Sequence, residues 1–195
     1  MLRWPEPAAQ QKRVRTPVTP VGPPPTMLCL MGEPVLRWQG RTNAPWAYAK
    51  LPALLAVLAD ALQRPVPRPW LAALLWPERS PASLRRALYD LRRQIRSGPG
   101  TPTLVAASTQ ALWLEAGLPV DLAAIDAAWR DAQANRLSCA DAAAALELWR
   151  GEFATGLEVA GADDFALWLM QARSRWEQRA LQLALALAEQ HLRES

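Results

Sequence analysis

The stretch that decides the fold is LAALLWPERSPASLRRALYDLRRQI, residues 71–95. Prolines at positions 77 and 81 predict a short connection between a helix that ends near Trp76 and a second helix that begins near Ala82. On the second helix, the residues that share one face at about 100° per residue are all apolar. We expect this face to be buried; it consists of Leu84, Ala87, Leu88, Leu91 and Ile95.

The opposite face of this second helix is basic. It carries Arg86, Tyr89, Asp90 and Arg93, and further arginines flank it: Arg85, Arg92 and Arg96. So many like charges repel one another unless a negative partner lies across from them, and DNA phosphates are such a partner. An arginine can also grip a guanine edge with two hydrogen bonds. The alternative is a solvated surface helix, in which Arg86 and Asp90 form an ordinary i,i+4 pair.

Elements on either side of the helix pair complete the arrangement. Upstream, the pattern predicts short strands at 27–31 and 35–38, a third around 46–48, and a leucine-rich helix at about 50–63. Downstream, two strands around a polar break form a hairpin at 103–115. A sheet, three helices and a hairpin, with the most basic helix before the hairpin, is the layout of a winged helix-turn-helix.

From residue 119 onward the pattern is helical. Helices are expected at 121–134, with Asp121 as a cap, and at 139–150. An irregular connection at 151–161 leads to a long helical stretch at 163–192. The pattern leaves open whether that stretch is one helix or two.

Charge changes sign along the chain. Residues 1–26 hold four basic residues and one acidic residue, residues 27–119 hold eleven and five, and residues 120–195 hold seven and twelve. The first segment is rich in proline and poor in core residues, which predicts a disordered basic tail. A basic part attracts polyanions, most commonly nucleic acid, so a basic front and an acidic rear indicate two modules with different partners.

The sequence offers no catalytic, cofactor or metal site. Cys29 and Cys139 lie far apart, and together with His191 they supply too few ligands for a structural zinc site. A Gly-rich phosphate loop and a nucleophile–histidine pairing are both missing, so we expect neither enzymatic activity nor a cofactor. No apolar run approaches the ~20 residues that span a bilayer, and no apolar signal core begins the chain. We therefore expect a cytoplasmic protein without membrane contact.

Several segments resemble the SARP-type bacterial regulators. Residues 71–95 are similar to their helix-turn-recognition helix, and LCLMGEPVLRWQGR at 28–41 looks like their N-terminal sheet. LWRGEFATGL at 148–157, followed by DFALWL at 164–169, is similar to the signature of their activation domain. The resemblance implies an α+β fold: an N-terminal OmpR-type winged helix-turn-helix, followed by an all-α bacterial transcriptional activation domain of TPR-like helix pairs.

The resemblance also implies two domains with different functions along the chain. Residues 27–118 would form the DNA-binding domain, and residues 119–195 would form an activation domain that is shorter than usual in the family. The third helix would enter the major groove, and the hairpin 103–115 would be a wing on the backbone or in the minor groove. The connection 77–81 would lie where OmpR-type activators contact RNA polymerase, and family members often bind direct repeats as side-by-side dimers.

On these grounds the sequence predicts a transcription regulator, acting as an activator, that binds double-stranded DNA sequence-specifically. Base edges would be read by Arg86, Tyr89 and Arg93, and phosphates would be held by the flanking arginines. The full set of expected DNA-binding residues is Ser83, Arg85, Arg86, Tyr89, Arg92, Arg93 and Arg96. The alternative is a protein-interaction adaptor, whose acidic helical part binds a partner and whose winged helix is a docking fold without DNA.

Overall fold

In a computed structural model of the protein, the described residues are 26–38, 41–43, 45–77, 82–95 and 103–194. Their elements follow one another as small strands, three helices, a hairpin and three further helices. In chain order they are β1 (Thr26–Cys29), β2 (Val35–Trp38), β3 (Arg41–Thr42), α1 (Lys50–Asp60), β4 (Val66–Pro67), α2 (Arg68–Leu75), α3 (Ala82–Ile95), β5 (Val105–Ala107), β6 (Ala111–Leu114), α4 (Asp121–Gln133), α5 (Cys139–Glu147) and α6 (Asp163–Glu194). The predicted tail lies outside the described residues except for Thr26, which begins β1.

The first sheet is an antiparallel meander in the order β1-β2-β3. Cys29 lies opposite Val35, and Arg37 lies opposite Thr42. The first two predicted strands are confirmed, but the third was misplaced, since it is Arg41–Thr42 and not the segment around 46–48. That segment is held by hydrogen bonds that involve side chains and not by strand pairing; in one of them the Trp46 indole N–H donates to the Pro34 carbonyl at 2.8 Å.

The three predicted front helices are confirmed as α1, α2 and α3, and the hairpin as β5 and β6. Helix α1 is buried from Leu51 to Asp60, so it forms the centre of the front half. The hairpin gains a third strand, because β4 pairs with β6 and Val66 lies opposite Leu112. The sequence pattern does not predict β4, because this strand has only two residues and one of them is a proline, which lacks an amide donor.

The rear of the chain contains α4, α5 and α6. The Ser138 hydroxyl caps α5 by accepting the Asp141 amide at 3.1 Å. Helix α6 packs against both α4 and α5 and runs as one helix from Asp163 to Glu194, which settles the choice between one helix and two. No helix in the described part of the chain is long and apolar enough to cross a membrane.

Asp121 has a different place from the one predicted. The cap position of α4 is Val120, and the Asp121 side chain is 1% exposed. Its Oδ2 accepts the backbone amides of Leu30 and Met31 at 2.7 and 2.8 Å, and its Oδ1 accepts the Leu122 amide at 2.9 Å. The carboxylate therefore joins the chain just after β1 to the first turn of α4.

The front and rear of the chain share one continuous buried core. A single cluster of buried apolar residues extends from Leu28 to Leu183. A second polar link crosses the same junction, because Asp60 at the end of α1 accepts the Trp176 indole N–H and the Arg175 guanidinium, both at 2.8 Å. Helix α1, which packs against α3, is thus tied to α6 by residues that lie 116 positions apart, Asp60 and Trp176.

We expect Asp121→Ala to destabilise the fold strongly. The change leaves three buried backbone amides without their acceptor and deprives Arg150 of a carboxylate at 3.4 Å. Breaking such a buried arrangement typically costs about 3–5 kcal/mol in the free energy of unfolding, which urea denaturation measures.

The control for this prediction is Asp131→Ala. Asp131 pairs with Arg136 at 3.0 Å on the surface of the same helix region, and exposed pairs contribute less than about 1 kcal/mol. Equal losses of stability in the two variants would contradict the role assigned to Asp121.

Candidate nucleic-acid interface

Helix α3 is anchored by its apolar face. The five residues predicted for that face are at most 6% exposed: Leu84, Ala87, Leu88, Leu91 and Ile95. They pack against the core that α1 and α2 form. The helix therefore has a fixed rotation about its axis, which decides which side chains face solvent.

The solvent face of α3 carries most of the predicted DNA-binding residues. Tyr89 is 59% exposed, although large aromatic side chains are usually covered. Ser83 is half-buried in the first turn, and Arg96 lies outside the described residues. The exposed members of the predicted set are Arg85, Arg86, Tyr89, Arg92 and Arg93.

The exposed arginines of α3 differ in their surroundings. Arg86 donates through Nε to both oxygens of Asp90, at 3.1 and 3.2 Å, while three-quarters of its side chain remains exposed. By contrast, Arg85, Arg92 and Arg93 form no ion pair with any other residue that the structure describes. Most of the positive charge on this face therefore lacks a described carboxylate against it.

A loop that follows the front sheet docks on α3, a contact that the sequence pattern does not predict. The Gln94 side chain donates to the Pro45 carbonyl at 2.8 Å and accepts the Ala47 amide at 3.2 Å. One helical turn earlier, the Tyr48 hydroxyl donates to Asp90 Oδ2 at 3.0 Å. We call residues 45–48 the docking loop. No periodic pattern in the sequence signals these bonds, since each joins residues more than 40 positions apart.

The Tyr48 phenol keeps its proton over the whole neutral range. Partial burial and the bond to Asp90 raise the pKa of Tyr48 to about 12, because a phenolate there would lose hydration and face a carboxylate. Tyr48 is therefore a hydrogen-bond donor to Asp90 at any pH near neutrality.

The hairpin β5–β6 has a fixed tip. Its turn is closed by Ser108, whose amide donates to the Ala111 carbonyl at 2.9 Å and whose hydroxyl accepts the Ala111 amide at 3.0 Å. Arg68, the first residue of α2, donates through its backbone amide to Gln110 and through Nε to the Ser108 carbonyl, both at 2.9 Å. The hairpin tip is thus fastened to the helix that precedes α3.

The cysteines have the environment of structural residues. Cys29 is buried and Cys139 is partly buried, and the two do not form a disulfide. Burial raises the pKa of the Cys29 thiol. In the described ranges, no group of three or more histidine, cysteine or carboxylate side chains is placed to hold a metal ion.

The chain is similar over most of its length to a solved structure. It is EmbR of Mycobacterium tuberculosis in complex with a low-affinity phosphopeptide, with a TM-score of 0.61 and 26% sequence identity. The match covers 81% of this chain and 43% of that chain, so the matched part is less than half of the EmbR chain. No family model and no curated protein matches the chain. The likeness supports the SARP-like fold that the sequence resemblance implies.

We expect Gln94→Ala to loosen the docking loop while leaving α3 folded. The Ala47 amide loses its acceptor, so its hydrogen exchange, followed by NMR, becomes faster. Because the bonds are exposed, the free energy of unfolding falls by only about 0.5–1.5 kcal/mol. In the control Gln133→Ala, which removes an exposed glutamine of α4, Ala47 exchange stays at the wild-type rate; an unchanged rate in Gln94→Ala as well would show that the loop is not held by Gln94.

Proposed function

We propose that the protein is a transcription regulator that binds double-stranded DNA sequence-specifically and inserts α3 into the major groove. One observation carries the proposal: α3 is locked to the core by its leucine face and presents a row of exposed arginines on the other. The major groove is about 12 Å wide, and an α-helix with its side chains is about 10–12 Å across. A helix of this shape and charge fits a groove lined by phosphates.

The arginines divide into two roles by position. Arg86 and Arg93, together with Tyr89, lie along the middle of the solvent face and would meet base edges. Arg85 and Arg92 flank that line and would hold phosphates on either side of the groove, and the sequence predicts the same role for Arg96. Ser83, in the first turn of α3, would add a hydroxyl contact to a phosphate near the helix N-terminus.

The hairpin and the rear helices have the remaining roles. The hairpin tip, fastened to α2 by Arg68, would touch the neighbouring backbone or the minor groove as a wing. Residues 27–118 would constitute the winged helix-turn-helix, and residues 119–195 a helical activation domain that is TPR-like. By resemblance to the SARP-type regulators, the connection 77–81 would meet RNA polymerase, and two copies would bind side by side on direct repeats as a cytoplasmic activator.

Removal of a phosphate-holding arginine should weaken binding to all DNA sequences alike. We expect Arg92→Ala to lower the slope of log affinity against log salt concentration by about 0.9, the share of one released counterion. Fluorescence anisotropy with random and selected duplexes, at several salt concentrations, measures both effects. Arg136→Ala, an exposed arginine in the acidic rear, is the matched control and should leave the slope unchanged.

Removal of a base-reading arginine should instead weaken only binding to the preferred site. We expect Arg93→Ala to reduce the difference in binding free energy between selected and random duplexes by ~1–3 kcal/mol. The duplexes come from selection of genomic fragments by the wild-type protein. A wild-type protein with little affinity for any duplex at low salt would contradict DNA binding and point to the adaptor function instead.

A further inference from the structure

We propose that Tyr48 and Asp90 position Arg86 to read a guanine, so that the docking loop helps to set the sequence specificity of α3. The inference rests on the proposed function, since it assumes that α3 lies in the major groove. Neither Tyr48 nor Asp90 has to touch the DNA. Both act through the guanidinium group of Arg86 and are therefore positioning residues.

The bond to Asp90 occupies one side of the Arg86 guanidinium. Asp90 takes the Nε hydrogen with both carboxylate oxygens, at 3.1 and 3.2 Å. The two terminal Nη groups lie at the opposite end of the planar fork. Two parallel donors are what the O6 and N7 acceptors of guanine require, and none of the other three bases offers a pair of acceptors on its major-groove edge. The geometry therefore favours guanine as the base that Arg86 contacts.

The charge of Asp90 separates Arg86 from the other exposed arginines. A carboxylate next to the guanidinium repels a phosphate that approaches it, whereas the guanine edge is a neutral dipole and is repelled far less. Arg92 and Arg93 have no such carboxylate among the described residues. Asp90 thus lowers the affinity of α3 for DNA of any sequence and favours contact of Arg86 with a base over contact with a phosphate.

Tyr48 makes this arrangement more than a surface ion pair. An exposed i,i+4 pair alone is weak and leaves both side chains free to rotate. Here the Tyr48 hydroxyl, which comes from a different part of the chain, donates to Asp90 Oδ2 at 3.0 Å. The loop that carries Tyr48 is itself held by Gln94 and by the Trp46 indole. Asp90 is therefore held from two directions, and Arg86 meets DNA with less conformational freedom to lose.

The test is a double-mutant cycle on the full chain. Duplexes that the wild-type protein selects are compared with copies in which each guanine is replaced in turn by 7-deazaguanine, which lacks the N7 acceptor. Four proteins are measured: wild type, Tyr48→Phe, Arg86→Ala and the double variant. We expect Tyr48→Phe to lower the preference for one particular guanine by roughly 3- to 10-fold, as the loss of one positioning hydrogen bond implies.

The cycle separates positioning from other effects of the tyrosine. In the Arg86→Ala background, Tyr48→Phe should cause no further loss of preference, because the group through which it acts is absent. The Tm of Tyr48→Phe should fall by no more than that of Gln94→Ala, and its affinity for random duplexes should remain that of the wild type. A loss that is equally large in both backgrounds, or no loss in either, overturns the proposal.

Asp90→Asn supplies a readout that a purely structural role would not move. It keeps an oxygen acceptor but removes the negative charge, so affinity for random DNA should rise while the preference for the same guanine falls. A fall or no change in random-DNA affinity overturns the argument from charge, and selected sites without a guanine dependent on Arg86 overturn the assignment of the base. A wild-type protein that binds no duplex at low salt is a different result, because it refutes the proposed function itself.

Discussion

The constraint on which the structure depends is the burial of Asp121 between the front and the rear of the chain. Desolvation raises the pKa of this carboxyl, and the amides of Met31, Leu30 and Leu122 oppose that rise, with Arg150 beside them. A charge in such a place is tolerated only while its hydrogen bonds are complete, because an uncompensated buried carboxylate is costly. The backbone after β1 must therefore lie against the start of α4. The position of the front sheet therefore depends on its contacts with the rear helices.

The packing of the rear helices against the front half also fixes the orientation of α3. Helix α6 meets the end of α1 through Asp60, and α1 in turn packs against α2 and α3. The docking loop holds α3 from the side of the first sheet through Gln94 and Asp90. The helix that would read DNA is thus fixed on its apolar face by the core and at its edge by polar bonds. Its solvent face carries the arginines. A helix that is already rigid would lose little conformational entropy on binding DNA.

How far the sequence predicts this structure depends on the range of each interaction. Helical periodicity is local, so the helices and the leucine face of α3 follow from spacing alone. β4 could not be found in this way, because a two-residue strand exists only through its partner Leu112. The aromatic segment 46–48 satisfies a strand pattern, yet its side chains are used for long-range bonds. Aspartate at the start of a helix is typical of a helix cap, so the sequence predicts that role for Asp121. Its observed role as a buried acceptor depends on backbone amides about 90 positions away, which only the folded chain brings close.

Long-range interactions also limit how far the candidate site can be predicted from the sequence. Sequence analysis identifies the arginines of α3 and even the Arg86–Asp90 spacing, but that spacing in isolation is typical of any solvated helix. Arg86 differs from Arg92 and Arg93 in its bond to Asp90, and that carboxylate is held by Tyr48, which lies 42 positions before Asp90 in the chain. A weak surface pair thereby becomes a directed one, without any change in the residues of the helix. In the proposed complex with DNA, specificity would therefore depend partly on the loop that packs beside α3, and two chains with identical α3 sequences would not need to read the same base.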